Sequence, residues 1–211
     1  VSTLVLATRN AHKVGELRAI LGGHLPGVEV VGVDAFDSDP DRAVGDVVES
    51  GVTFAENALL KARAVAAGTG LPAVADDSGL CVDVLGGAPG IFSARWCGRH
   101  GDDEANLRLL LAQLADVPAP HRGAHFACAA ALVLPDGTEH VELGSLPGVL
   151  VAQPSGGGGF GYDPILVPDA ERAPGGRGRT CAQLSAEEKN AISHRGAAFR
   201  AIAPAIARAL G

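Results

Sequence analysis

Four short segments of this 211-residue sequence group side chains that chemistry can use. The first, Thr8-Arg9-Asn10-Ala11-His12-Lys13, stands where a short apolar run gives way to a helical pattern. Free backbone N–H groups and the positive end of a helix dipole make such a junction a phosphate site, with Lys13 adding a mobile charge. An Asn N-cap beside a solvated lysine accounts for the same residues, and no Walker motif accompanies them. The second segment is Asp76-Asp77-Ser78-Gly79, with Glu49 and Glu56 upstream as further carboxylates. Hard oxygen donors at a strand end suit Mg²⁺, which keeps several waters and bridges to phosphate. If strand geometry persists through the pair, Asp76 and Asp77 face opposite ways and only one serves a given site. The competing reading is a turn capped by an Asp.

The third segment, Gly156 to Pro164, contains a formal G-x-G-x-x-G at Gly156, Gly158 and Gly161. A dinucleotide site needs that loop to open a helix, whereas Tyr162-Asp163-Pro164 and the apolar Ile165-Leu166-Val167 follow, so the Rossmann reading fails. A loop presenting Phe160 and Tyr162 beside a carboxylate remains, able to stack on and hydrogen-bond a flat base. A hydrophobic plug under the loop is the alternative. The fourth segment sets Lys189 close to Ser193-His194-Arg195, a costly cationic cluster unless it meets something anionic or electron-rich. On a straight helix, at about 100° per residue, His194 and Arg195 point away from Lys189. Long side chains or a bend near Gly196 must reconcile them, or the residues form a solvated basic face.

The elements that must position these groups are legible in the periodicities. Val1 to Ala7 reads as a strand, Val14, Leu17, Ile20 and Leu21 as a helix, and Val28 to Val33 as a second strand. Asp34 to Ser50 has no clear period and reads as a surface loop. Thr53 with Glu56 forms a capping-box pattern for a helix to about Gly68, and Ala73-Val74-Ala75 is a short strand. A Gly/Pro-rich loop separates it from a helix starting at Asp102-Asp103. Pro135-Asp136-Gly137 turns a hairpin between His125–Leu134 and Thr138–Val151. Ser185 and Glu188 repeat the capping box before a final helical region in which Gly196 and Pro204 are candidate breaks. Strands alternating with helices, then a hairpin, imply an α/β fold on a mixed sheet, expected as a single domain over residues 1–211.

Composition bounds the function. The chain is 47% hydrophobic with 29 glycines and a net charge of −7, which describes a globular core and disfavours a nucleic acid partner. Four dispersed cysteines without a Cys-x-x-Cys pair argue against a zinc site or redox dithiol and fit a reducing cytoplasm. No basic n-region and no run of about 18 apolar residues occurs, so the expectation is a soluble, untargeted protein with no membrane role.

In order and spacing, these segments resemble the Ham1-type inosine/xanthosine triphosphate pyrophosphatases. The resemblance spans essentially the whole chain. It is carried by Leu6-Ala7-Thr8-x-Asn10-x-x-Lys13, Thr53-Phe54-x-Glu56-Asn57-Ala58-x-x-Lys61-Ala62, Ala75-Asp76-Asp77-Ser78-Gly79-Leu80, Gly86-Gly87-Ala88-Pro89-Gly90, Gly159-Phe160-Gly161-Tyr162-Asp163-Pro164 and Glu188-Lys189-x-x-x-Ser193-His194-Arg195-Gly196. One departure stands out: that family usually has Gly where this chain has Arg9. The resemblance implies an ITPase-like α/β fold, a two-lobed mixed sheet with flanking helices and the nucleotide in the cleft between the lobes, usually as a homodimer. It implies cleavage of ITP, dITP and XTP to the nucleoside monophosphate and pyrophosphate with Mg²⁺. Thr8, Asn10, Lys13 and Lys61 would hold the triphosphate, and Glu49 and Asp77 the metal, Asp77 also serving as the base. Phe160 would stack on the purine, with Asp163, Lys189, His194 and Arg195 around its edge and sugar. Arg9, Ser78, Gly161 and Tyr162 complete the expected substrate contacts.

Overall fold

In the computed structural model, which describes residues 2–9 and 11–211, alternation decides the strands. Leu4 and Leu6 of β1 (Ser2–Leu6) enter one buried cluster and Val5 another, because successive strand side chains point to opposite faces. β2 (Val28–Gly32) and β3 (Ala73–Val82) both pair with β1 in parallel, Leu4 opposite Val30 and Leu6 opposite Val74. β4 (Gly123–Val133) and β5 (Glu139–Leu150) flank the turn at Pro135-Asp136-Gly137. β6 (Leu166–Pro168) runs antiparallel to β5, with Val149 opposite Val167. The sheet order is β2-β1-β3-β4-β5-β6, so the expected α/β class with a mixed sheet is the observed one.

Six helices accompany the sheet among the described residues: α1 (Ala11–Gly22), α2 (Phe54–Thr69), α3 (Asp103–Gln113), α4 (Asp169–Arg172), α5 (Ala186–Ile192) and α6 (His194–Leu210). Caps start them where the spacing predicts. Thr53 Oγ1 accepts from Glu56 N, and Ser185 Oγ from Glu188 N, each satisfying a donor that the first helical turn leaves open. None of these helices is long and apolar enough to cross a membrane.

The chain divides into two units, and β3, β4 and β5 each supply residues to both. The first takes the chain up to Asp77, Cys128–Gly144 and Arg195–Gly211. Its core has two layers. Leu17 and Leu21 of α1 and Phe199, Ile202 and Ile206 of α6 pack with Leu4, Leu6, Val74, Cys128 and Ala130. Ala58, Ala62 and Val65 of α2 pack with Val5, Ala73, Ala75, Ala129 and Ala131. The second unit, Ser78–Ala127 and Ser145–His194, gathers Leu107 and Leu110 of α3 with Leu80, Phe126, Leu146, Leu150, Tyr162 and Ile165.

Two elements depart from the sequence expectation. β3 does not stop at Ala75 but runs through Asp76-Asp77-Ser78-Gly79 to Val82. Gly79 serves close approach here rather than a turn: a Cβ would lie 2.4 Å from both the Gly90 carbonyl and Ser93 Oγ. Ser93 Oγ meanwhile accepts from Leu80 N at 2.9 Å. The final helical region breaks at Ser193, whose extended backbone (φ −64, ψ 148) ends α5, while Gly196 and Pro204 lie within α6.

Candidate active site

In the first unit, β3 geometry sorts the two aspartates. Val74 and Asp76 share the face of the α1/α6 layer, and Ala75 and Asp77 the face pattern of the α2 layer. Asp77 therefore meets α2, where Asn57 and Lys61 stand one turn apart on one helical stripe. Asn57 Nδ2 donates to Asp77 Oδ2 at 3.1 Å, and Lys61 Nζ lies 3.8 Å from Asp77 Oδ1 and 2.7 Å from Glu49 Oε1. Asn57 also anchors the approach to α2, its Oδ1 accepting from Gly51 N. Burial pushes the Asp77 carboxyl above its ordinary value; Lys61 opposes this and Glu49 reinforces it. For Lys61, burial works against the charge, but Asp77, Asp76 and Glu49 outweigh it and hold the ammonium above its usual value.

Asp76 faces a different set. Its side chain is 3% exposed, with Arg195 Nε at 3.1 Å and Lys13 Nζ at 3.4 Å, and Arg195 Nη1 reaches Glu16 Oε2 at 3.2 Å. Burial would raise the Asp76 carboxyl, but Lys13, Arg195 and Lys61 overcome it and hold it far below the usual carboxylate range. A depressed folded value contributes stability that is present at neutral pH and is lost as pH falls below the unfolded value. Acid unfolding followed by circular dichroism should show this. Asp76→Asn is expected to lower stability at pH 7 and to flatten its decline below about pH 4, the two curves converging in acid. Parallel curves would contradict the assignment.

Arg9 bridges outward. Its Nη2 and Nε donate to Asp37 at 2.9 and 3.3 Å, Nη2 also reaches the Val44 carbonyl, and Nη1 lies 3.6 Å from Asp46. The guanidinium is thus held by the acidic 37–46 loop. Thr8 follows β1, its N–H bonded to the Leu6 carbonyl, and Asn10 lies outside the described residues.

In the second unit, Asp163 is 2% exposed and organises the glycine-rich loop. Asp163 Oδ2 accepts from Phe160 N at 2.8 Å and from Lys189 Nζ at 2.6 Å. Gly159 has φ +73, and a Cβ there would lie 2.1 Å from that same Oδ2, so only glycine lets the carboxylate pass under the turn. Phe160 is left 55% exposed, with Lys189 Nζ 5.1 Å from its ring centroid. Gly161 N donates to Asp103 Oδ2. The expectation that Tyr162 also offers an open ring is corrected: it is buried in the core, its hydroxyl donating to the Ser93 carbonyl at 2.9 Å. His194 is buried with its ring stacked on Phe126, 5.0 Å between centroids.

The structure thus brings together Glu49, Lys61 and Asp77; Lys13 and Arg195 on Asp76; and Phe160, Asp163 and Lys189. Lys189 and Arg195, on either side of the backbone break at Ser193, bond different aspartates, Asp163 and Asp76. Ser78, half-buried, follows Asp77 on β3. Sequence reasoning gave no role to Asn57, although its i,i+4 spacing to Lys61 marks it, or to Glu16, which no local pattern distinguishes.

A mixed-sheet α/β protein that sets two carboxylates around a half-buried lysine, and presents an exposed aromatic beside a carboxylate-lysine pair, carries the kinds of group that a phosphorylated flat base would need. The comparisons narrow the class. The model of the Ham1 family matches residues 4–205. A dITP/XTP pyrophosphatase of Streptomyces coelicolor is 65% identical over 211 residues, covering 100% of both chains. A nucleoside-triphosphatase / dITP/XTP pyrophosphatase of Mycobacterium abscessus, solved by crystallography, is 49% identical with a TM-score of 0.75, over 96% of this chain and 99% of that one. The structure of a HAM1 protein from Coxiella burnetii aligns with TM-score 0.85 at 35% identity, over 99% and 100%. This chain belongs to the Ham1 family.

Proposed function

We propose that this chain hydrolyses the non-standard purine nucleoside triphosphates ITP, dITP and XTP to the nucleoside monophosphate and pyrophosphate. The observation that carries the reading is the half-buried Asp77 carboxylate, held by Asn57 and facing Lys61, whose ammonium also bonds Glu49. A carboxyl whose proton affinity is raised by burial, held beside a lysine, suits the acceptor of a proton from water. Lys61 and Lys13 supply the positive charge that lets an anionic site approach a triphosphate. Each unit-charge contact near 4 Å is worth on the order of 4 kcal/mol at an effective dielectric of 20, before desolvation. Thr8, Arg9 and Asn10 belong to the same phosphate-holding segment.

Mg²⁺ fits Glu49 and Asp77. Both are hard oxygen donors converging on one ammonium, their repulsion already raises Asp77, and an ion that retains its waters needs few protein ligands. Bound there, it would neutralise phosphate charge and acidify the attacking water. Among the described residues no group of three or more His, Cys, Asp or Glu side chains is poised to hold a metal, and Glu49 and Asp77 are the two that would hold it.

In the second unit Phe160 stacks on the base, Asp163 and Lys189 hold Phe160, and His194 is a donor for the 6-keto oxygen of hypoxanthine or xanthine; Arg195, of the first unit, carries over from the family resemblance as a further donor. Adenine presents a donor there instead, and a buried polar mismatch can discriminate by about 10⁴-fold. Phe160→Ala should raise KM about tenfold with kcat within twofold, since base–aromatic stacking is worth ~1–3 kcal/mol. Steady-state kinetics on ITP check this; an unchanged KM would remove Phe160 from the base site. The reading includes a cytoplasmic homodimer acting on free nucleotides, with neither nucleic acid nor membrane as partner. Its reaction is tested by products: ITP with Mg²⁺ should give IMP and pyrophosphate, whereas IDP and orthophosphate would place cleavage at the wrong bond.

A further inference from the structure

Beyond the base site itself, one arginine outside every segment considered so far closes a chain of charges that ends on it. Arg179 forks onto two glutamates: Nε and Nη2 donate to Glu171 at 3.1 and 2.8 Å, and Nη1 to both oxygens of Glu188 at 3.0 Å. Glu171, on α4, also accepts from Arg177 N and Arg179 N, so the 173–180 connection is folded back onto its own helix. Glu188 is the third residue of α5, and its Oε2 accepts from Ser185 N at 2.8 Å in the capping box. The next residue on this seven-residue helix is Lys189, whose Nζ grips Asp163 beneath Phe160. A helix this short has little stability of its own and depends on tertiary anchors.

We infer that Arg179 is a positioning residue for nucleotide binding: by joining Glu171 to Glu188 it fixes α5, and so fixes Lys189, Asp163 and the Phe160 ring in turn. Planarity matters, because a guanidinium engages two carboxylates in fixed directions while a lysine ammonium acts as a point charge. The inference rests on Phe160 being the platform for the base. A loosened platform binds ground state and transition state equally less well, so the loss falls on KM rather than kcat.

The test is kinetics on ITP with Arg179→Ala, Glu188→Gln, Phe160→Ala and the Arg179→Ala/Phe160→Ala double variant, each with its melting temperature. Glu188→Gln keeps a side-chain acceptor for the α5 cap while removing the charge that Arg179 grips. Arg179→Ala is expected to raise KM about fivefold with kcat within twofold, and Glu188→Gln to follow it in the same direction. In the Phe160→Ala background the Arg179→Ala effect should vanish, as coupled residues are non-additive. A fall in melting temperature with KM unchanged, or an undiminished effect without Phe160, would overturn the inference. If Arg179→Ala does not fold, Glu188→Gln with unchanged KM overturns it alone. Phe160→Ala with unchanged KM would instead sink the base-platform reading beneath it.

Discussion

Asp77→Asn should lower kcat for ITP by about three orders of magnitude, within the roughly 10²–10⁴-fold that a positioned general base contributes, and the same substitution also removes a proposed Mg²⁺ ligand. The substitution is nearly isosteric, and an asparagine carbonyl can still accept from Asn57, which donates to Asp77 at 3.1 Å. Folding should not suffer. Burial raises the Asp77 carboxyl, so the folded state favours its protonated form, and that contribution to stability is lost as pH rises through the raised value. Above that raised value the wild type carries the cost of an ionised, half-buried carboxylate, and the variant does not. The expected result is an inactive enzyme whose melting temperature, measured without metal, equals or exceeds that of the wild type. ITP binding by calorimetry should persist. Activity within tenfold of wild type would remove Asp77 from the chemistry.

The second large effect is on folding. Arg195 and Asp76 are each 3% exposed at the side chain, and removing one member of such a buried pair leaves the other charged in a medium that solvates it poorly. Arg195→Met is expected to cost about 3–5 kcal/mol, or roughly 10 °C in melting temperature for a chain of this length. Lys13, at 3.4 Å, compensates Asp76 only in part, and Glu16 also loses a partner. Adding Asp76→Leu should recover much of the loss, because a buried pair replaced by apolar groups is often close to neutral. A cost under 1 kcal/mol for the single variant would show that the pair contributes little. The same protein tests base reading: its preference for ITP over ATP should fall, and full retention would make the Arg195 contact to the 6-keto oxygen wrong.

Where a residue's neighbours in the chain decide its environment, the sequence was enough. The period-two alternation of Leu4, Val5 and Leu6, the capping box at Ser185 and the turn at Pro135-Asp136-Gly137 appear where expected, while at Thr53 the cap forms but Glu56 reaches back to Val52 N instead of Thr53 N. Asp76-Asp77-Ser78-Gly79 carries every local signal of a turn and is instead the middle of a ten-residue strand. The reason is distant: Arg195, 119 positions along the chain, and Lys13 neutralise Asp76, and Ser93 takes up the Leu80 N–H. Tyr162 and Phe160 are two residues apart in one glycine-rich loop, yet the first is buried in the second unit's apolar core with its hydroxyl on the Ser93 carbonyl while the second is exposed. Lys189 and Arg195 read as one basic cluster, yet each bonds a different aspartate, Asp163 and Asp76, on either side of the break at Ser193. The candidate site residues were legible as types, their pairings only in three dimensions.

The central claim is a pyrophosphohydrolase that selects its purine by the 6-keto group. The most direct test is kcat/KM for pyrophosphate release from ITP, dITP, XTP and ATP under saturating Mg²⁺. The account predicts efficient release from the first three, with ATP lower by up to about 10⁴-fold, the scale a buried hydrogen-bond mismatch can reach. ATP turned over as well as ITP would contradict it.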